Sequence, residues 1–182
     1  MSQNAMLLAS RFFLISLLAV IPTSLALATG SISLSVTLDK SWEILDANIQ
    51  NQQAMGSQVA YHLKLDQEVM FEANKKNTNS VIAISLIPID AIEGITSAKN
   101  YLLKNKLPDP DTPYNTATQA ISGIEFDKIS TTIKYDPTVI TLEQSYATFK
   151  DSYIIEIYTT CDKDHPSCQE INNLIKALKF NK

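Results

Sequence analysis

The sequence predicts an α+β fold in which an antiparallel β-sheet is covered by helices, an α/β/α-type sandwich. Three observations support this prediction. Apolar and polar residues alternate in several successive runs, which is the period of half-buried strands. One run, Val81 to Ile89, is almost continuously apolar, so we expect a central strand with both faces covered. Two segments, at residues 96–107 and 167–180, have the apolar spacing of amphipathic helices.

Residues 1–28 are predicted to be a signal peptide. The apolar run from Phe12 to Ala28 follows a single cation, Arg11, and ends in the small-x-small pattern Ala26-Leu27-Ala28. It is shorter than the roughly 20 residues that a membrane-spanning helix needs, so no stable membrane anchor is expected after cleavage. The remaining chain, 29–182, is predicted to be one domain in the periplasm or outside the cell.

The charge distribution argues against a nucleic-acid partner. Loss of Arg11 with the signal peptide changes the net charge from −4 to −5 and leaves lysine as the only residue type with a permanent positive charge. Arginine is the side chain that binds phosphate in two-pronged fashion, and a chain without it is poorly equipped to bind nucleic acid or phosphorylated ligands.

Strand patterns fill the first half of the chain. The residues from Ile32 to Leu38 alternate, and a turn at Asp39-Lys40 precedes Trp42. The amide-rich segment Asn48–Gln58 predicts a loop or a frayed helical turn. Alternation then resumes from Val59 to Ala73, with Asp66-Gln67 placed as the turn of a hairpin.

The first helix is predicted to begin after Thr96 or Ser97, with Ala98, Tyr101 and Leu102 on its buried side. Three prolines then prevent its continuation, and an extended polar loop is predicted over Pro108–Ala120. Strands return from residue 123 onward. The apolar residues of Gly123–Tyr135 change parity, which predicts a β-bulge near Asp127-Lys128.

The last helix has a predicted start and a predicted buried face. Ser167 and Glu170 form the S-x-x-E pattern of a capping box, in which the serine caps the helix. Behind it, apolar residues recur at helical spacing on one stripe, namely Ile171, Leu174, Ile175 and Leu178.

Cys161 and Cys168 flank the start of this helix, and a chain exported to an oxidising compartment is expected to join them in a disulfide. The spacing of Cys161, His165 and Cys168 leaves two alternatives, a zinc or copper site and a reactive cysteine pair. No fourth ligand is evident. We therefore predict a structural disulfide and assign no metal or cofactor.

No catalytic residue is assigned, and the sequence favours a non-enzyme over an enzyme. His62 lies inside a strand pattern without a nucleophile beside it in sequence. The carboxylate pairs Asp109/Asp111 and Asp162/Asp164 are interpreted as solvated loop charges rather than calcium ligands. Four tyrosines are interpreted as core and rim aromatics, with a ligand groove as the alternative: Tyr135, Tyr146, Tyr153 and Tyr158.

The order of elements resembles the PsbP-like superfamily. The resemblance rests on a first strand that ends at a tryptophan, "SLSVTLDKSW" at 33–42, and on a terminal helix that ends in "INNLIKALKF" at 171–180. The group includes bacterial envelope proteins of the DcrB type. The resemblance implies an antiparallel sheet between helical layers and a role in binding or assembly, with no catalytic residues to transfer.

The expected function is therefore that of an exported, non-enzymatic binding or assembly-factor domain that contacts a protein partner in the cell envelope. The polar segments Pro108–Ala120 and Asn48–Gln58 are the predicted recognition loops. The alternatives are a small-ligand or metal-binding carrier, and an enzyme whose site is assembled only in three dimensions.

Overall fold

The computed structural model describes residues 32–65, 71–107, 109, 111–134 and 139–181. These residues form two antiparallel sheets, one of four strands and one of seven, with two α-helices. Strands account for 60% of them, so the prediction of a helix-covered α+β sandwich is wrong. The second layer over the larger sheet is built mainly from strands.

The small sheet has the order β11-β1-β4-β3, with bounds β1 (Ile32–Asp39), β3 (Ile49–Met55), β4 (Gln58–Leu65) and β11 (Lys179–Asn181). The large sheet has the order β2-β5-β6-β10-β9-β8-β7. Its bounds are β2 (Trp42–Asp46), β5 (Phe71–Lys75), β6 (Val81–Pro88), β7 (Tyr114–Ile121), β8 (Ile124–Lys134), β9 (Ile140–Lys150) and β10 (Tyr153–Asp162). The helices are α1 (Ala98–Asn105) and α2 (Pro166–Ala177).

The large sheet is covered on both faces. On one face, α1 packs on β8 and β9 and forms a small core with Leu102 at its centre. On the other face, the small sheet and α2 bury a larger core that includes Leu34, Phe71 and Ile175. This arrangement confirms the prediction for β6, which lies between β5 and β10 with four of its eight residues buried and none exposed.

The two covered faces also explain the parity change in β8. Phe126 lies in the larger core, whereas Ile129 lies under α1. The pairing of β8 with both of its neighbours runs without a register shift at Asp127 or Lys128. The predicted bulge is therefore wrong, because a regular strand between two covered faces places apolar residues on either parity.

Both predicted recognition loops contain strands. The segment Asn48–Gln58 holds β3, and Pro108–Ala120 holds most of β7. These strands lie at the free edges of the two sheets, where polar side chains remain in solvent and do not produce an apolar alternation. A two-residue turn, Ser122-Gly123, with φ of 54° and 75° joins β7 to β8.

The predicted hairpin turn at Asp66-Gln67 lies outside the described residues. The strands on either side of it, β4 and β5, belong to different sheets, so the hairpin prediction is wrong. Strand alternation cannot distinguish a hairpin from a crossing between two packed sheets, because both arrangements bury alternate residues.

The helices start as local sequence chemistry requires, although α2 starts earlier than predicted. Ser97 caps α1 by accepting a hydrogen bond from the Asn100 amide, as predicted. The α2 helix begins at Pro166, with His165 as its cap. Ser167 is therefore inside the first turn, and the predicted capping box is wrong. The predicted apolar stripe is confirmed, with Ile171, Ile175 and Leu178 buried and Leu174 packed against them.

Candidate functional site

A groove of about 420 Å³ opens between α2, the end of β1 and the turn that joins β3 to β4. From α2 it is lined by Glu170, Asn173, Leu174 and Ala177. From the strands it is lined by Thr37, Asp39, Trp42, Met55 and Gln58. We call this set of nine residues the α2 groove.

The strand alternation of β1 places Thr37 and Asp39 in the groove, because Val36 and Leu38 point into the core. A tight turn follows directly. Oδ1 of Asp39 accepts hydrogen bonds from the Ser41 amide, at 2.7 Å, and from the Ser41 hydroxyl. The hydroxyl hydrogen bond from Ser41 is the main cause that lowers the pKa of Asp39 below its usual range. Asp39 is therefore a fixed, ionised acceptor at the groove wall.

A second network joins three elements at the base of the groove. The ammonium of Lys75 on β5 forms an ion pair with Glu170 on α2. The same ammonium lies 5.8 Å from the centroid of the Trp42 ring on β2, within cation–π distance. Trp42 is only 7% exposed. The indole is therefore a structural wall of the groove, and α2 is fixed against the edge of the large sheet.

The groove can hold a ligand by hydrogen bonds and apolar contact. Met55 is 53% exposed, and its flexible thioether is a side chain that adapts to a partner surface. Gln58 and Asn173 supply amide donors and acceptors, and the two carboxylates supply acceptors only. The nine lining residues include no histidine, cysteine, lysine or tyrosine, so the carboxylates of Asp39 and Glu170 are the titratable groups among them.

The predicted disulfide lies at the end of α2 nearest the groove's Lys75–Glu170 pair. Cys161 is the penultimate residue of β10, and Cys168 lies in the first turn of α2. The structure joins their sulfurs, with 5.3 Å between the Cα atoms. Beside it, the hydroxyls of Ser80 and Ser167 are 2.7 Å apart in a buried hydrogen bond. These two links hold the start of α2 on the large sheet.

The sulfur and imidazole atoms considered for a metal site have other partners. The two sulfurs are bonded to each other, and Nδ1 of His165 accepts from the Ser167 amide at 3.2 Å. Asp162 accepts from the side-chain amide of Asn79 at 3.0 Å. Within the described residues, no three His, Cys, Asp or Glu side chains are grouped so as to hold a metal ion.

His62 is exposed on β4, and its Nδ1 lies 2.8 Å from the hydroxyl of Ser35 on β1. The pair has no local signal in the sequence, because only the register between β1 and β4 places Ser35 opposite His62. Both residues lie on the open face of the small sheet, outside the α2 groove.

The remaining candidates do not converge on one site. Oδ1 of Asp109 accepts from the Asp111 amide at 2.8 Å in an exposed turn. Tyr146 is fully buried and its hydroxyl donates to Gln144; burial raises its pKa. Tyr158 lies on the opposite face of the large sheet from Tyr146, because Tyr146 is in register with Ile157. Tyr153 is buried in the larger core, and Tyr135 lies outside the described residues.

No protein-family model matches this chain, and no curated protein is significantly similar to it. In the described part of the chain, neither helix is long and apolar enough to cross a membrane. The α2 groove is the candidate site because of its geometry. The disulfide and the Lys75–Glu170 ion pair fix the helix that lines it.

Proposed function

We propose that this chain is an exported binding domain that acts in the periplasm or outside the cell and contacts a protein partner of the envelope through the α2 groove. One observation supports this site above the others. Met55 is half exposed in a concave surface where amide and carboxylate groups surround a small apolar area. An apolar centre with a polar rim is the usual composition of a recognition surface.

The groove is also organised before any ligand binds. Asp39 is held by two hydrogen bonds from Ser41, and Glu170 is held by Lys75. Side chains that are already ordered lose less conformational entropy on binding. A ligand therefore meets a wall of fixed acceptors, with Met55 as the adaptable contact.

Export and assembly rest on the sequence. The predicted signal peptide at 1–28 lies outside the described residues, and the disulfide is compatible with an oxidising compartment. The resemblance to the PsbP-like superfamily supports the same class of function, binding or assembly, and stays a proposal.

A second candidate is small-ligand carriage in the same groove. Its volume of about 420 Å³ falls within the range of roughly 300–1,000 Å³ that is usual for ligand pockets. Native mass spectrometry of the purified protein distinguishes the two functions. A co-purified small molecule that Met55→Asp removes supports carriage.

The protein-partner proposal is tested with a matched pair of variants. Met55 and Leu45 are both 53% exposed, but Leu45 lies on β2 outside the groove. Wild-type protein and Leu45→Asp are expected to enrich the same partner from an envelope extract, and Met55→Asp is expected to lose it. Retention by Met55→Asp, equal loss by both variants, or no enriched partner contradicts the proposal.

A further inference from the structure

We propose that β7 is a self-association edge, through which two copies of this chain pair antiparallel into one continuous sheet. This surface is separate from the α2 groove, whose residues come from the small sheet, β2, α2 and the turn between β3 and β4. The proposal rests on the strand's open edge and its lack of charge, and it does not depend on the proposed function.

The β7 strand ends the large sheet with one edge unpaired. It pairs with β8 along all eight residues, without a register shift. No strand of the described chain lies on its other side. In an antiparallel pair, alternate residues direct their N–H and C=O groups away from the partner strand. The free edge of β7 is therefore a straight row of backbone donors and acceptors, which is a template for another strand.

The opposite edge of the same sheet is protected, and β7 is not. The β2 strand is only five residues long, carries Glu43 and Asp46, and is bulged between Ile44 and Asp46. Short length, charge and bulges are the devices by which proteins prevent edge pairing. The β7 segment, "YNTATQAI", contains no charged residue, proline or glycine.

A strand can reach only part of β7. Each residue from Tyr114 to Thr118 is exposed, and Tyr114 is 44% exposed. Lys99 of α1 lines a cavity of about 210 Å³ beside Thr116–Thr118, but it leaves these residues exposed. At the other end, Ile121 is buried in the larger core. We therefore place the pairing at the first five residues, which are all exposed, with Thr116 as their midpoint.

A second copy of the chain suits this edge. Antiparallel pairing of two identical strands needs a two-fold axis normal to the sheet, and this axis keeps each face of the sheet on the same side. With the axis at Thr116, Thr116 lies opposite its own counterpart and Tyr114 lies opposite Thr118. All facing side chains are uncharged, so no like charges lie directly opposite each other across the seam.

The seam is short, so the dimer is expected to be weak and to depend on concentration. The β3 strand, the uncharged edge of the small sheet, differs from β7 in the regularity of its pairing. The pairing of β3 with β4 is interrupted by a register shift between Ile49 and Asn51. Gln53 on β3 is exposed and uncharged, as Thr116 is, and it provides the matched control position.

Sedimentation of the purified protein tests the proposal. We expect the wild type to pass from monomer to dimer between micromolar and about millimolar concentration. Thr116→Lys places two lysines opposite each other, so this variant is expected to stay monomeric. Gln53→Lys is expected to dimerise as the wild type does. Circular dichroism confirms that each variant is folded.

A nitroxide label at Thr116→Cys gives a second measurement that does not require loss of binding. Directly opposed Cβ atoms are about 4.5–5.5 Å apart, so dipolar broadening is expected at high concentration and should disappear on dilution. A label at Gln53→Cys should show none. The proposal is overturned if the wild type is monomeric at every concentration. It is also overturned if Gln53→Lys, rather than Thr116→Lys, prevents dimerisation.

Discussion

The ammonium of Lys106, at the end of α1, lies 2.6 Å from Oε1 of Glu156 on β10. The Tyr101 hydroxyl, also on α1, donates to the other oxygen of the same carboxylate. Glu156 is only 4% exposed. Burial is the main cause that raises the pKa of Tyr101, and the hydrogen bond to Glu156 adds to it. The phenol therefore stays a donor, and one buried carboxylate holds the middle and the C-terminal end of the short helix.

Removal of Lys106 is expected to destabilise the protein strongly. Lys106→Met leaves the Glu156 carboxylate buried without its counter-ion. Loss of one member of a buried ion pair costs roughly 3–5 kcal/mol, and the partial exposure of Lys106 should reduce this to about 2–4 kcal/mol. Urea unfolding measures the change. Lys99→Met, at an exposed lysine of the same helix, is the control, and an equal effect in both variants contradicts the role of the pair.

The disulfide is expected to contribute about 2–3 kcal/mol to the free energy of unfolding, from the loss of chain entropy in the unfolded state. The double substitution Cys161→Ala with Cys168→Ala should lower the urea midpoint, and reductant should lower that of the wild type. Reductant should have no effect on the double variant. Two free thiols in protein purified without reductant, measured by mass spectrometry, would show that the bond is not formed.

Replacement of the helix cap should give a smaller, local effect. His165→Ala removes the acceptor for the Ser167 amide, and the loss of a cap costs about 0.5–2 kcal/mol. For a domain of this size, 1 kcal/mol corresponds to a change in Tm of roughly 2–4 °C. His165→Asn supplies a capping oxygen and is expected to keep most of the wild-type Tm. An unchanged Tm in His165→Ala contradicts the assignment of the cap.

Stability should also depend on the ionisation of Asp39. Its pKa is lower in the folded state than in the unfolded chain, because Ser41 hydrogen-bonds to the charged form. The resulting stabilisation is present above the unfolded pKa, about 4, and is lost as pH falls through the folded pKa. Asp39→Asn should therefore be less stable than the wild type at neutral pH, with a difference that shrinks below about pH 4.

Equilibrium unfolding at a series of pH values measures the Asp39 effect. Asp90→Asn, at an exposed carboxylate, controls for the loss of one negative charge. A difference between Asp39→Asn and the wild type that stays constant from neutral to acid pH contradicts the argument.

Several elements were predicted correctly where a local sequence pattern determines the structure. The apolar run of β6 gave a central strand, Ser97 gave the start of α1, and the stripe from Ile171 to Leu178 gave the buried face of α2. The start of α2 was misplaced, since Pro166 after His165 is an equally local helix signal that the S-x-x-E pattern obscured. The edge strands β3 and β7 were missed because exposed strands carry no apolar alternation.

Almost nothing in the sequence indicates the candidate site. Lys75 and Glu170 are 95 residues apart in the chain, and nothing near either residue indicates that they form a pair. Trp42 and Met55 lie in separate segments of the sequence, and the packing of α2 beside β1 brings them to one groove. The Ser35–His62 contact likewise depends on the register of two strands that are distant in the chain.

By itself, the sequence determined the periodic strands, the buried faces of both helices and the pairing of the two cysteines. These depend on local spacing, on composition and, for the cysteines, on there being only two. Tertiary structure alone decided that strands form the second layer and that β4 and β5 lie in different sheets. A period of two records that one face is buried but carries no information about which layer buries it.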